Sequence, residues 1–277
     1  MKPASSIGGT MTASWQPDGP QDKGGPPAFA LAVLAGFGLG QGFRSTPIAQ
    51  GRAEAWATTV PGELAVDIWE ALASAGAQRW WPIIVGSENQ ERIVAEQAEF
   101  SEGPPAVLLD RTAALDAVAL IDRWKTEAEI PPDQTPPGYD VVGEWPEHAE
   151  PATQFTLPYK LGTDQPVPTV LALVAAASSA EVPAILGWGN WNACPKPEEH
   201  VAMMRRWEAA YGARLVGLSS AVIEMQVTRP PTTREGAMDL AEEQFAYCSD
   251  IVHQGVGTIS ALASMLLDGT AWYFWWD

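Results

Sequence analysis

Five aromatic residues in a row, Trp272-Tyr273-Phe274-Trp275-Trp276, precede Asp277. Left in solvent, they would form one adhesive apolar patch, so the sequence demands a buried place for them. Aromatic residues are favoured in strands, and the run is expected to be a buried strand. Both cysteines and six of the thirteen tryptophans fall after residue 187, which makes this third of the chain the richest in candidate functional residues. With 46% hydrophobic residues, the 277-residue chain can build real cores, and its length suggests about two units.

The net charge of -18 excludes some partners. A surface of that sign repels phosphate backbones, so nucleic acid is not an expected ligand. It suits solubility and attraction of a basic protein partner. The apolar stretch from Ala28 to Gly40 is far shorter than the roughly 20 residues needed to cross a bilayer. No cleavable leader is visible after Met1-Lys2, and two cysteines do not make a disulfide scaffold. These features predict a cytoplasmic protein with reduced thiols and no membrane partner.

Four segments are expected. Residues 1–27, rich in Gly and Pro, read as a flexible tail. Residues 28–126 read as a smaller N-terminal α/β module. Its predicted strands are Phe29–Leu34, Trp80–Val85 and Ala106–Leu109, and its helices follow Leu64, Glu88 and Leu115. Residues 127–153 carry acidic residues and prolines but no Lys or Arg, and read as a stiff linker. Residues 154–277 read as a C-terminal α/β or α+β domain, a mixed sheet flanked by helices. Its predicted strands are Thr169–Val174, Pro183–Trp188, Arg214–Leu218, Ala221–Val227 and Trp272–Trp276. Helices are expected at Pro197–Tyr211, from Thr232 through a capping box with Glu235, and at Thr258–Leu267.

The blocks Gly187-Trp188-Gly189-Asn190-Trp191-Asn192-Ala193-Cys194-Pro195, Arg229-Pro230-Pro231, Ala241-Glu242-Glu243-Gln244, Tyr247-Cys248-Ser249-Asp250-Ile251-Val252 and Trp272–Asp277 carry a resemblance. Together with His200, Trp207 and Tyr211-Gly212-Ala213, they make residues 168–277 resemble the bacterial domain of unknown function family 4253. The Trp80-Trp81-Pro82-Ile83-Ile84 segment is similar to the upstream part of actinobacterial members. The resemblance implies Pro after the second cysteine, where this chain has Ser249, and it implies no activity.

Several groupings could carry chemistry. Cys194 with His200, and Cys248 with Asp250 and His253, could supply four zinc ligands. Neither spacing is that of a zinc knuckle, and Cys248 falls on the apolar face of its helix, which favours two buried thiols; no metal or cofactor is expected. A thiol nucleophile would need His200, or Asp250 with His253, as its base. Glu243 borders an apolar helix face and would need a partner there, Arg229 or the Trp191 indole. Arg229, before a helix start, reads as an anion site or as a bridge to the C-terminal carboxylate. Asn190-Trp191-Asn192, flanked by glycine, reads as a recognition loop or as a structural turn. No phosphate-binding loop, dinucleotide fingerprint, nucleophile elbow or His-Glu-x-x-His motif is present.

The combined reading is a non-catalytic protein- or ligand-binding module of immunity-like or sensory type, with a basic protein as the expected partner. Its expected binding residues are Asn190, Trp191, Asn192, Arg229, Glu243, Tyr247 and Asp250. The alternative is a small-molecule or metal-dependent enzyme centred on Cys194, His200, Glu243, Cys248 and Asp250.

Overall fold

The structure, a computed structural model, describes residues 25–75, 79–128 and 140–277. Residues 1–24 of the expected tail and 129–139 of the expected linker therefore lie outside the described residues. The elements run α1 (Ala28–Gly36), β1 (Arg44–Ser45), β2 (Ala55–Val60), α2 (Gly62–Ala75), β3 (Trp80–Gly86), α3 (Glu88–Gln97), α4 (Pro105–Thr112) and α5 (Ala117–Ala128). After these come β4 (Thr169–Ala175), α6 (Val182–Leu186), α7 (Pro197–Tyr211), β5 (Arg214–Leu218), β6 (Val222–Gln226), α8 (Arg234–Tyr247), α9 (Ile259–Leu266) and β7 (Ala271–Trp275).

The described strands form one seven-stranded mixed sheet in the order β1-β2-β4-β3-β5-β6-β7, flanked by helices. Every neighbouring pair is antiparallel except β3 and β5. The boundaries drawn near 126 and 154 do not divide this sheet: β4, downstream of both, lies between β2 and β3 and pairs with each. One buried cluster runs from Ala30 to Trp276. β3 and β4 are buried at nearly every position, of both parities, so both faces of the sheet centre are covered.

Proline inside β3 is accommodated locally. Pro82 has no N–H for a ladder, and its carbonyl accepts from the Trp69 indole at 2.9 Å. The Trp81 indole donates to the Leu215 carbonyl at 2.9 Å and so ties β3 to β5 beyond their brief parallel pairing.

Three expected strands are helices. Phe29–Leu34 lies in α1, Ala106–Leu109 in α4, and Pro183–Leu186 in α6. Each is a short apolar run, which periodicity alone cannot assign. The deciding signals are alanine content in α1 and proline in the first turn of α4 and α6. The expected cap of α8 moves by one residue: Thr233, not Thr232, is the N-cap, and its hydroxyl accepts from Gly236 N. Where described, the expected linker is a fitted strap. Ile259 N donates to Val141 O, and Ala152 N donates to Met265 O, so residues 140–153 run along α9.

Candidate functional site

α7 starts with Pro197 at its first position and ends at Gly212, whose φ of 62° closes the helix in left-handed conformation. His200 sits in its first turn and is 0% exposed. The preceding loop folds back over it, because Cys194 N donates to Trp191 O at 2.8 Å and Asn190 N donates to Pro195 O at 2.9 Å. Gly187, Gly189, Asn190 and Asn192 all have positive φ, so this short loop holds four left-handed or related residues. At Gly189 the requirement is also steric: a Cβ would lie 2.4 Å from Pro195 O and 2.9 Å from His200 Nε2.

The His200 ring is held at both nitrogens. Nε2 lies 3.4 Å from Cys194 Sγ, and Nδ1 lies 2.5 Å from the Tyr247 hydroxyl. Trp188, Tyr247 and Trp276 surround the ring with centroids at 5.0, 5.5 and 5.6 Å. Burial lowers the imidazole pKa to about 3, and a hydrogen bond to the Pro195 carbonyl only partly opposes it. A neutral ring donates from one nitrogen and accepts at the other. The tautomer we assign has Nδ1 accepting from the Tyr247 O–H, with Nε2–H facing the Pro195 carbonyl and Cys194.

Burial also pushes the Cys194 thiol and the Tyr247 phenol well above their ordinary values, and raises Cys248 to about 12. All four groups are thus held in their neutral forms. The nucleophilic form of a cysteine is the thiolate, which this environment disfavours.

Three of the blocks that carried the resemblance meet here: the Gly187–Pro195 loop, Tyr247–Val252 and Trp272–Asp277. Asn192 Nδ2 donates to the Asp277 carbonyl at 2.5 Å, and Asp277 N donates to Asp250 Oδ2 at 3.1 Å. Cys248 Sγ donates to Trp275 O at 3.0 Å. The Trp191 ring meets Trp188 edge-on, with centroids 4.7 Å apart, and lies 6.4 Å from Phe100. Asn190 Nδ2 donates to Phe100 O at 2.9 Å. Both asparagine side chains therefore serve the loop and its neighbours, and Trp191 is half-buried.

Glu243 and Arg229 lie apart from His200. The partners of Glu243 are Arg206 and Trp207, not Arg229 or Trp191. Arg206 Nε and Trp207 Nε1 each donate to Glu243 Oε2 at 3.2 Å, and Arg206 Nη2 bonds the other oxygen. Arg229 Nη2 donates to the carbonyls of Glu208 and Ala209, at 3.0 and 2.8 Å, and so caps the C-terminus of α7. His253 is exposed on a π-type turn over Ile251–Val256, its ring 5.2 Å from Phe245. Among the described residues no group of three or more His, Cys, Asp or Glu side chains could hold a metal ion.

Two features escaped the sequence. Glu224 in β6 is 1% exposed and accepts from Thr156 N at 2.5 Å, Thr156 Oγ1 at 2.7 Å and Leu157 N at 3.3 Å. Its signal was a lone carboxylate between Ile223 and Met225. A cleft of about 730 Å³ opens elsewhere, lined by Glu63, Asp67, Thr156, Tyr159, Lys160 and Asp164 among others. None of the expected binding residues lines it.

No helix among the described residues is long and apolar enough to cross a membrane. Comparison with curated proteins and with solved structures finds no match. Residues 170–277, from β4 to the final strand and including His200 with Trp188, Cys194, Tyr247 and Trp276 around it, match the family described as Domain of unknown function (DUF4253).

Proposed function

We propose that this chain is a non-catalytic binding protein of the bacterial, actinobacterial-type cytoplasm, and that its partner is a basic protein. One observation carries the reading: the groups best suited to chemistry, Cys194, His200 and Tyr247, are at most 5% exposed and held neutral. Catalysis needs groups that reach substrate and change protonation near the working pH. Here the same groups brace the meeting point of three sequence blocks. The net charge of -18 supports a basic partner, and the two free thiols support a reducing compartment. Asn190, Trp191 and Asn192 belong to this reading as a rigid recognition loop, with Asp250 fixing its base, and Tyr247, Glu243 and Arg229 holding the helices behind it.

Native mass spectrometry of the protein gently purified from its own cells tests the proposal. A stoichiometric basic protein, released by salt, is expected. A metabolite- or metal-sized adduct with no protein partner would overturn it.

A second reading rests on the Cys194–His200 contact of 3.4 Å, the arrangement of a thiol beside a base. It requires Cys194 to be reachable in the folded chain.

A further inference from the structure

α5 lies upstream of the matched region and packs on α7 and α8, which lie within it. Its buried anchors are few: Leu120 and Ile121 are 4% and 5% exposed, and Trp124 meets the Tyr247 ring edge-on at 5.8 Å. The rest of the grip is ionic. Arg123 lies 2.7 Å from Glu199 of α7, and Lys125 Nζ lies 2.9 Å from Glu242 of α8. In both pairs the cation is on α5 and the carboxylate on the groove. Both cations are 44–45% exposed in their side chains; Glu242 is 48% exposed, so salt reaches the Lys125 pair, whereas Glu199 is 10% exposed and the Arg123 pair is screened less. Val118, on the outer side of α5, is 49% exposed.

This is the chemistry of an amphipathic helix in a groove: apolar anchors one turn apart, with basic residues meeting acidic walls. We propose that the α7–α8 groove is a docking site for a basic amphipathic helix of a partner protein, and that α5 occupies it in cis until that partner displaces it. The inference rests on the binding-protein reading and gives it a place and a partner chemistry. A free helix of this length is marginal in water, so a displaced α5 loses its helical protection.

The test uses the full chain and a labelled peptide with the sequence of residues 117–128. In the wild type α5 competes, and the peptide is expected to bind at least about tenfold more weakly than to the Arg123→Glu, Lys125→Glu variant. Adding Glu242→Lys to that variant restores the pairing with position 125 in cis and is expected to weaken peptide binding again; Glu199 is kept, because it also accepts from Lys196 N at the start of α7. Hydrogen exchange supplies a readout free of substitutions: in the wild type, raising salt is expected to unprotect 117–128 before α7. Two results overturn the proposal: a folded variant that does not bind the peptide, or an α5 that exchanges only with the whole fold. If the peptide behaves as expected and no basic protein is recovered from cells, the broader reading fails while the groove stands. If a basic partner is recovered and neither charge reversal changes its binding, the broader reading stands and the groove fails.

Discussion

The Tyr247 hydroxyl sits 2.5 Å from His200 Nδ1, joining the end of α8 to the first turn of α7 in a site closed to solvent. Among the described residues, the other polar groups at the His200 ring are Cys194 and the Pro195 carbonyl. Each therefore depends on the other to offset its own desolvation.

Removing either partner strands the other. Tyr247→Phe leaves Nδ1 without a donor and is expected to cost about 1–3 kcal/mol, and His200→Ala about 2–5 kcal/mol because it also opens a cavity. The double variant should cost less than the sum, with a coupling of about 0.5–3 kcal/mol. Urea unfolding of the four proteins measures all three quantities; strict additivity would show that the contact carries no coupling.

Stability should fall as acid is added, beginning well above the carboxylate range. An unfolded His titrates near 6.5, whereas folded His200 resists protonation until about 3. Between those values the unfolded chain binds the extra proton, so stability is lost as pH falls, with a slope approaching about 1.4 kcal/mol per pH unit. Glu91 acts in the same direction but below its ordinary 4.5: burial pushes it up, yet Arg44 and Thr46 together hold it lower. Comparing unfolding at about pH 6.5 and about pH 5 in the wild type and in His200→Phe isolates the His200 contribution, and the substitution should remove that part of the loss.

Glu224 has the opposite sign. Burial raises its pKa above 4.5 against the pull of Thr156 and Leu157, so the folded chain takes up this proton before the unfolded one, a contribution that favours the fold as pH falls. Glu224→Leu removes the acceptor and is expected to cost about 1–3 kcal/mol for the stranded donors. Amide exchange at Thr156 and Leu157 should accelerate ahead of the rest of the sheet. Unchanged protection at those two amides would contradict the assignment.

Gly189→Ala should be among the most damaging small substitutions. The added carbon would stand 2.4 Å from a backbone oxygen at a φ of 118°, so both clash and strain oppose it. A cost of at least about 2 kcal/mol is expected, against about 1 kcal/mol for Gly38→Ala, where a Cβ meets nothing. Thermal unfolding of the two variants ranks them, and equal midpoints would refute the steric account.

Local structure was legible where the signals were local. Pro197 and Gly212 bracket α7 as expected; of the final aromatic run Trp272–Trp275 forms a strand paired with β6, with Trp272 and Phe274 buried and Tyr273 exposed rather than buried. Apolar runs too short to show a period misled at Phe29, Ala106 and Pro183, which open helical segments instead. The insertion of β4 between β2 and β3 depends on pairing between residues 84 to 119 positions apart, and no local pattern encodes it. Within the site, Cys194 and His200 stand in the sequence as candidate ligands or as thiol and base, with a spacing that matches no motif, and the fold sets them 3.4 Å apart; Tyr247 stands there without its tie to His200. Glu224 was missed because strand alternation places a polar residue toward solvent, whereas this strand is covered on both faces.

The most direct test of a sealed, neutral centre is alkylation of the folded protein with iodoacetamide near neutral pH, read by intact mass. With Cys194 and Cys248 at 5% and 1% exposure and both thiols held far from ionisation, neither should react in the time that fully labels the urea-unfolded chain. Stoichiometric labelling of Cys194 in the folded chain would contradict the account and make the thiol beside His200 a working nucleophile.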